Sequence, residues 1–147
     1  MSAFKARAAD AKSRNEQLLC VLMIDKMSIH KQVEWNGSKF VDYVDLGNEV
    51  NDDSNPVATE ALVFLVVALR QNWKIPCGYF LVHGLAGRER ANIVKQCLLK
   101  LHDVGVTVIS LTCDGPSCHF SMMHELGANL DLVNLQAYFC HPADESL

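Results

Sequence analysis

The sequence predicts an α/β domain built around one mixed β-sheet, in which an antiparallel meander is extended by a parallel strand. Three apolar, strand-like runs precede a single long amphipathic helix, and a fourth such run follows that helix directly. A helical crossover returns the chain so that the next strand lies parallel to a member of the same sheet. A chain of 147 residues is long enough to form one such domain with a real core.

The N-terminal part predicts a helix followed by a central strand. Residues 4–17 are rich in helix formers, contain no helix breaker and carry only a thin apolar stripe, so residues 1–17 are expected to form a partly solvated lead-in helix. Residues 18–29 are too apolar for an exposed edge strand and are therefore expected to lie inside the sheet. The sheet domain is assigned to residues 18–147.

The middle of the chain predicts a hairpin and two further strands. Asn36-Gly37 lies between two alternating arms, which is a strong hairpin signal. Residues 61–69 are nine consecutive apolar residues, for which helix and strand are nearly balanced, and the valine and phenylalanine content favours a strand. Pro76 is expected to end this segment, and residues 77–83 to form another short strand.

The clearest helix of the chain spans residues 88–105, with apolar side chains on one face and Gly105 as its C-terminal stop. Residues 106–114 predict a strand that ends in an aspartate, and residues 117–126 predict a short helix. The basic residues of the long helix are expected to form an ordinary solvated face with at most a weak phosphate contact: Arg88, Arg90, Lys95 and Lys100.

This order of elements is the plan of the ribonuclease H-like fold, and it places two aspartates together. The first and fourth core strands are adjacent and parallel in that plan, so Asp25 and Asp114 are expected to lie side by side at their carboxyl ends. Two neighbouring carboxylates repel each other unless a divalent cation binds between them. The alternative is structural, since an aspartate after a buried strand often caps the next helix, and Asp114-Gly115-Pro116 is a good turn by itself.

Composition limits the possible partners. The formal net charge of −4 excludes a uniformly basic nucleic-acid-binding surface, so any DNA contact has to be local. No run approaches the 18 or so apolar residues of a membrane span, and the chain is expected to be soluble and intracellular, with no membrane partner. In a reducing compartment most of the six cysteines are expected to be small buried hydrophobes.

Several blocks in order resemble the P element transposase family, including the THAP-domain proteins derived from it. These blocks are MIDKMSIH, FVDYVDLG, ALVFLVVALRQNWKIPCGYFLVHG, VTVISLTCDG and SMMHELG. The resemblance implies the N-terminal part of a ribonuclease H-like catalytic domain that cuts and joins DNA at transposon ends with Mg²⁺ or Mn²⁺, in the nucleus. Asp25-Lys26-Met27 matches the family pattern DEM and Cys113-Asp114-Gly115 matches CDG, which implies catalytic and metal-binding roles for Asp25 and Asp114.

The chain departs from the family pattern at three points. Lys26 replaces a glutamate, and a cation there is expected to compete with a metal ion or to form a salt bridge with Asp25. His119 stands where relatives often carry asparagine. The third acid of the family, a glutamate, has no match here, so we expect a catalytic domain truncated before its last core strand and inactive alone. The alternative is a domesticated interaction module that has lost catalytic activity and uses an open sheet edge for self-association or for pairing with a partner.

Overall fold

The computed structural model describes residues 1–29, 34–35, 40–41 and 57–143. The main sheet has four strands in the order β5-β4-β1-β6, with β1 antiparallel to β4, β4 antiparallel to β5, and β6 parallel to β1. The predicted mixed sheet is therefore confirmed. The elements in chain order are α1 (Ser2–Ser13), β1 (Leu18–Ser28), β2 (Glu34–Trp35), β3 (Phe40–Val41), β4 (Glu60–Ala68), β5 (Lys74–Val82), α2 (Gly87–Asp103), β6 (Val106–Cys113) and α3 (Ser117–Leu126).

Strand β1 lies inside the sheet, as its apolar sequence predicts. Its even-numbered residues from Leu18 to Ile24 are buried, whereas Met23 and Asp25 are exposed. Because successive side chains of a strand point to opposite faces, one face of β1 packs in the core and the other faces solvent. Strand β4 follows the same rule, with Leu62, Phe64 and Val66 fully buried.

The predicted hairpin is present as a small separate sheet. Strands β2 and β3 pair antiparallel through Glu34 with Val41 and Trp35 with Phe40. The turn at Asn36-Gly37 lies outside the described residues.

The predicted break at Pro76 is wrong. Strand β4 already ends at Ala68, and Pro76 lies inside β5, which begins at Lys74. Pro76 pairs with Leu65 and Gly78 with Phe64, so Cys77 is left as an extra residue in a bulge. Proline is tolerated in a strand at a sheet edge or a bulge, and β5 has both features within the described sheet.

The helices follow their sequence signals with small changes of boundary. Helix α1 ends at Ser13 rather than at residue 17, because Asn15 adopts a left-handed φ of 57° just after it. Helix α2 ends close to Gly105, which has φ 83°, and α3 is followed by Gly127 with φ 108°. No helix in the described part of the chain is long and apolar enough to cross a membrane.

Candidate functional site

The register between β1 and β6 brings the two predicted aspartates to neighbouring backbone positions. The parallel pairing runs from Leu18 with Val106 to Ile24 with Cys113. Continuing this register by one residue sets Asp114 beside Asp25, on strands that lie about 4.8 Å apart. The expected adjacency of the first and fourth core strands is confirmed, while the roles of the two aspartates stay predictions.

A β-bulge in β6 sets this register. The pairing shifts between Cys20, which faces Val108, and Val21, which faces Ser110, so that Ile109 is the extra residue. Without the shift Cys113, and not Asp114, would lie opposite Asp25. Because Ile109 is accommodated in the bulge, the residues after it keep the pairing that ends at Ile24 with Cys113, one position before the two aspartates.

Asp25 is exposed and has little protein contact. Its Oδ1 atom accepts a hydrogen bond of 2.8 Å from the backbone N–H of Lys26. No other hydrogen bond or ion pair reaches its carboxylate from the described residues, so the second oxygen is available to a ligand.

The Asp114 carboxylate is held by a buried histidine. Nδ1 of His119, in α3, lies 2.7 Å from Oδ1 of Asp114 and 3.1 Å from its backbone oxygen. His119 is 1% exposed, whereas Asp114 is 50% exposed. The N-cap of α3 is Pro116, without a side-chain capping bond, so Asp114 does not cap this helix. The aspartate is fixed from the core side and leaves half of its surface to solvent.

Lys26 does not pair with Asp25, contrary to the expectation from the sequence. Its Nζ atom lies 2.8 Å from Oε1 of Glu60, at the start of β4. The physical reason is the alternation along β1, which sends Lys26 to the helix-covered face and Asp25 to the opposite one. The lysine that replaces the family glutamate therefore neither competes for the Asp25 carboxylate nor neutralises it.

The expectation of a fully solvated basic face on α2 is wrong for Arg90, which is 2% exposed. Its Nη2 atom lies 3.4 Å from Oε2 of Glu60, its Nε donates to the backbone oxygen of Leu85, and its Nη1 is buried without a partner among the described residues. We refer to Lys26, Glu60 and Arg90 as the Glu60 cluster.

Within the Glu60 cluster, the pKa values of Glu60 and Lys26 both shift towards the charged forms. The hydrogen bond from Lys26, with a smaller contribution from Arg90, lowers the pKa of the Glu60 carboxyl, and the same hydrogen bond raises the pKa of Lys26. The Glu60 carboxylate thus forms ion pairs with both Lys26 and Arg90, at the end of the sheet where β1 ends.

The candidate ligands are of the type that a hard divalent cation prefers, but they are fewer than such an ion needs. Asp25 and Asp114 offer carboxylate oxygens, the ligands that Mg²⁺ and Mn²⁺ prefer. Within the described ranges no three His, Cys, Asp or Glu side chains are grouped as metal ligands. Asp25 and Asp114 are therefore two candidate ligands at neighbouring backbone positions, and no contact between the described residues joins their carboxylates.

Sequence reasoning named His119, Lys26 and Arg90 but missed the contacts that they make around this site. His119 is five positions after Asp114, across a Gly-Pro turn into a short helix, and that spacing is a usable signal for a contact between the two. Glu60 pairs with Lys26, 34 residues before it, and with Arg90, 30 residues after it. The sequence offers no local signal for contacts over such separations.

The comparisons with known proteins agree with this architecture. A family model described as TNP-like, RNase H N-terminal domain matches residues 1–127. The human protein DNA transposase THAP9 is 29% identical over 130 residues, which cover 86% of this chain and 14% of that protein. The Drosophila P element transposase strand transfer complex matches with a TM-score of 0.64 at 24% identity, covering 88% of this chain and 25% of that one, and supports the fold alone.

Proposed function

Because the chain belongs to the family of TNP-like RNase H N-terminal domains, we propose that it supplies the first part of a DDE-type DNA transposase catalytic domain. The observation that supports the proposal is the parallel pairing of β1 with β6, which runs to Ile24 and Cys113, the residues directly before Asp25 and Asp114. The chain spans about a seventh of its human relative, so cleavage and joining of DNA at transposon ends belong to the proposal, as does a nuclear location.

Asp25 and Asp114 are proposed as two ligands of Mg²⁺ or Mn²⁺. In nucleases that use such ions, the metal activates the attacking oxygen and stabilises the leaving oxygen of a phosphodiester. The chain's own contribution is to hold the carboxylates in place, through the hydrogen bond from Lys26 N–H to Asp25 and through His119 at Asp114. His119 therefore acts as a positioning residue.

A calorimetric titration with Mn²⁺ tests the metal-binding step. We expect binding in the millimolar range or tighter for the wild type, and its loss in Asp25→Asn and Asp114→Asn. The matched control is Asp103→Asn, which removes the same charge from an exposed position at the end of α2 and should leave binding unchanged. Absence of binding to the wild type, or equal binding by all variants, would contradict the proposal.

A nuclease assay tests whether two carboxylates suffice. Since no third carboxylate joins them among the described residues, we expect the 147-residue chain not to cut supercoiled DNA in Mg²⁺ or Mn²⁺. Cutting that Asp114→Ala abolishes would show that the chain is active by itself.

The alternative is a domesticated interaction module without catalytic activity. Strand β6 pairs only with β1 in the described sheet, so its outer edge offers unpaired backbone groups to a partner strand. This candidate predicts no Mn²⁺ binding, together with self-association or partner pairing, which sedimentation velocity measures.

A further inference from the structure

Two thiols meet between the sheet edge and the long helix. Sγ of Cys77, in the bulge of β5, lies 3.6 Å from Sγ of Cys97 in α2. Cys77 also makes a hydrogen bond of 3.5 Å to the backbone oxygen of Phe64. No other pair of sulfur atoms in the described chain makes such a contact, so this dithiol differs from the cysteines that act only as small core residues.

The two thiols line a cavity that solvent can enter. The cavity lies between β5 and α2, has a volume of about 520 Å³, and is also bordered by Phe80, Gln96 and Lys100. Cys77 and Cys97 are both half-buried. A small reagent can therefore reach this pair, whereas Cys20 is fully buried in the core.

The hydrogen bond makes the two thiols unequal. Either sulfur can donate this hydrogen bond; with Cys97 as the donor it stabilises the Cys77 thiolate, which lowers the pKa of Cys77 and raises that of Cys97. The thiolate is the reactive form in thiol–disulfide exchange, which makes Cys77 the attacking group and Cys97 the resolving one.

We propose that Cys77 and Cys97 form a redox-active dithiol site, which a small disulfide such as oxidised glutathione converts into an intramolecular disulfide between β5 and α2. The Cys77 thiolate attacks one sulfur of the glutathione disulfide, whose S–S bond breaks as one glutathione leaves. Cys97 then attacks the Cys77 sulfur of this mixed disulfide and releases the second glutathione. The two electrons and both protons end on the two glutathione thiols.

The required movement is small. A disulfide bond is about 2 Å long, so the two sulfur atoms have to approach by about 1.5 Å. The bond would tie α2 to the edge strand across a separation of 20 residues, and we expect the thermal midpoint of the oxidised protein to rise by a few degrees. This site requires neither metal nor DNA and stands independently of the proposed function.

Peptide mapping tests the proposal on the wild-type chain. The protein is treated with oxidised glutathione, its remaining thiols are blocked, and it is digested with trypsin without reductant. Cleavage after Lys74, Arg88 and Lys95 places Cys77 in peptide 75–88 and Cys97 in peptide 96–100. We expect these two peptides to be linked, two of the six thiols to be lost, and the intact mass to fall by about 2 Da.

Two variants sharpen the test. Cys97→Ser is expected to stop at a glutathione adduct on Cys77, because the resolving thiol is missing. Cys140→Ser, which removes an exposed thiol elsewhere, is the matched control and should still form the disulfide. The proposal is overturned if the wild type yields no linked peptides 75–88 and 96–100, or if Cys97→Ser still loses two thiols to an internal bond.

Discussion

At the scale of single residues, the neighbours Asp25 and Lys26 belong to different environments. Asp25 points to solvent with a nearly unpartnered carboxylate, whereas Lys26 points to the helix-covered face and pairs with Glu60. Although the two residues are adjacent in the sequence, strand alternation places their charges on opposite faces of the sheet. A basic residue next to a candidate metal ligand is therefore compatible with the site.

Glu60 is expected to matter more for stability than Lys26. Removing the Glu60 carboxylate leaves the buried Arg90 without its ionic partner, so Glu60→Gln should lower the free energy of unfolding by about 2 kcal/mol. Lys26→Met leaves the Arg90 pair intact and keeps an apolar stem of similar length, and should cost less than about 1 kcal/mol. Urea unfolding measures both variants, and equal losses would show that Arg90 does not depend on Glu60.

The lowered pKa of Glu60 predicts a pH dependence. A carboxyl with a depressed pKa in the folded state contributes stability that is fully present above its unfolded pKa and is lost as pH falls through its folded pKa. The difference in unfolding free energy between wild type and Glu60→Gln should therefore shrink as pH is lowered from 7 to about 3. A difference that stays constant over this range would show that the charge of Glu60 is not the cause.

At the scale of elements, the bulge in β6 lets the apolar side chains before it and after it face the same core. Val106 and Val108 face the core before the bulge, and Leu111 and Cys113 pack against it afterwards. These pairs have different parity along the chain, and only an extra residue between them lets both face inward. Ile109 is that residue, and it is 53% exposed.

Deletion of Ile109 should therefore be tolerated. Ser110 would still face Val21 and Leu111 would still face Leu22, so the ladder becomes regular and Asp114 remains beside Asp25. We expect the free energy of unfolding to change by less than about 1 kcal/mol. Urea unfolding measures the change in stability, and the Mn²⁺ titration measures whether the metal-binding site is retained.

Deletion of Thr112 provides the matched control. It removes an exposed residue after the bulge, but either Cys113 or Leu111 then has to leave the core face. We expect a loss of about 2 kcal/mol or more. If both deletions destabilise equally, the bulge is not the element that sets the register.

At the scale of the whole molecule, the partly solvated helix α1 also contributes side chains to the core. Phe4 and Ala11 are buried in the main core, and the Phe4 ring meets Trp73 edge to face with centroids 6.4 Å apart. The matched family region also begins at residue 1. Helix α1 therefore packs at the end of the sheet opposite the two aspartates, where β4 turns into β5.

Phe4→Ala measures how strongly α1 contributes to folding. Because Phe4 is 2% exposed, its truncation should lower the free energy of unfolding by about 3 kcal/mol. Lys5→Ala changes the next, exposed residue and should cost less than about 0.5 kcal/mol. Thermal unfolding compares the two, and a small effect of Phe4→Ala would mean that α1 is dispensable for the fold.

Most elements of the fold and their order can be predicted from the amino-acid sequence. Apolar runs predict β1 and β4, the amphipathic pattern before Gly105 predicts α2, and the crossover rule predicts that β6 lies parallel to a member of the same sheet. These signals are local or follow from chain connectivity, so they can be read without coordinates. The positions of Asp25 in the last part of β1 and of Asp114 directly after β6 can be read in the same way.

The contacts between side chains of different elements cannot be predicted in this way. The bulge at Ile109 that aligns Asp114 with Asp25, the contact of His119 with Asp114, and the distant partner of Lys26 depend on register and on packing between elements. A shift of one residue along a strand reverses the direction of every later side chain while hardly changing the apolar pattern. For this reason the strands can be predicted from the sequence, whereas the side chains that lie together at the candidate site depend on the register of the folded sheet.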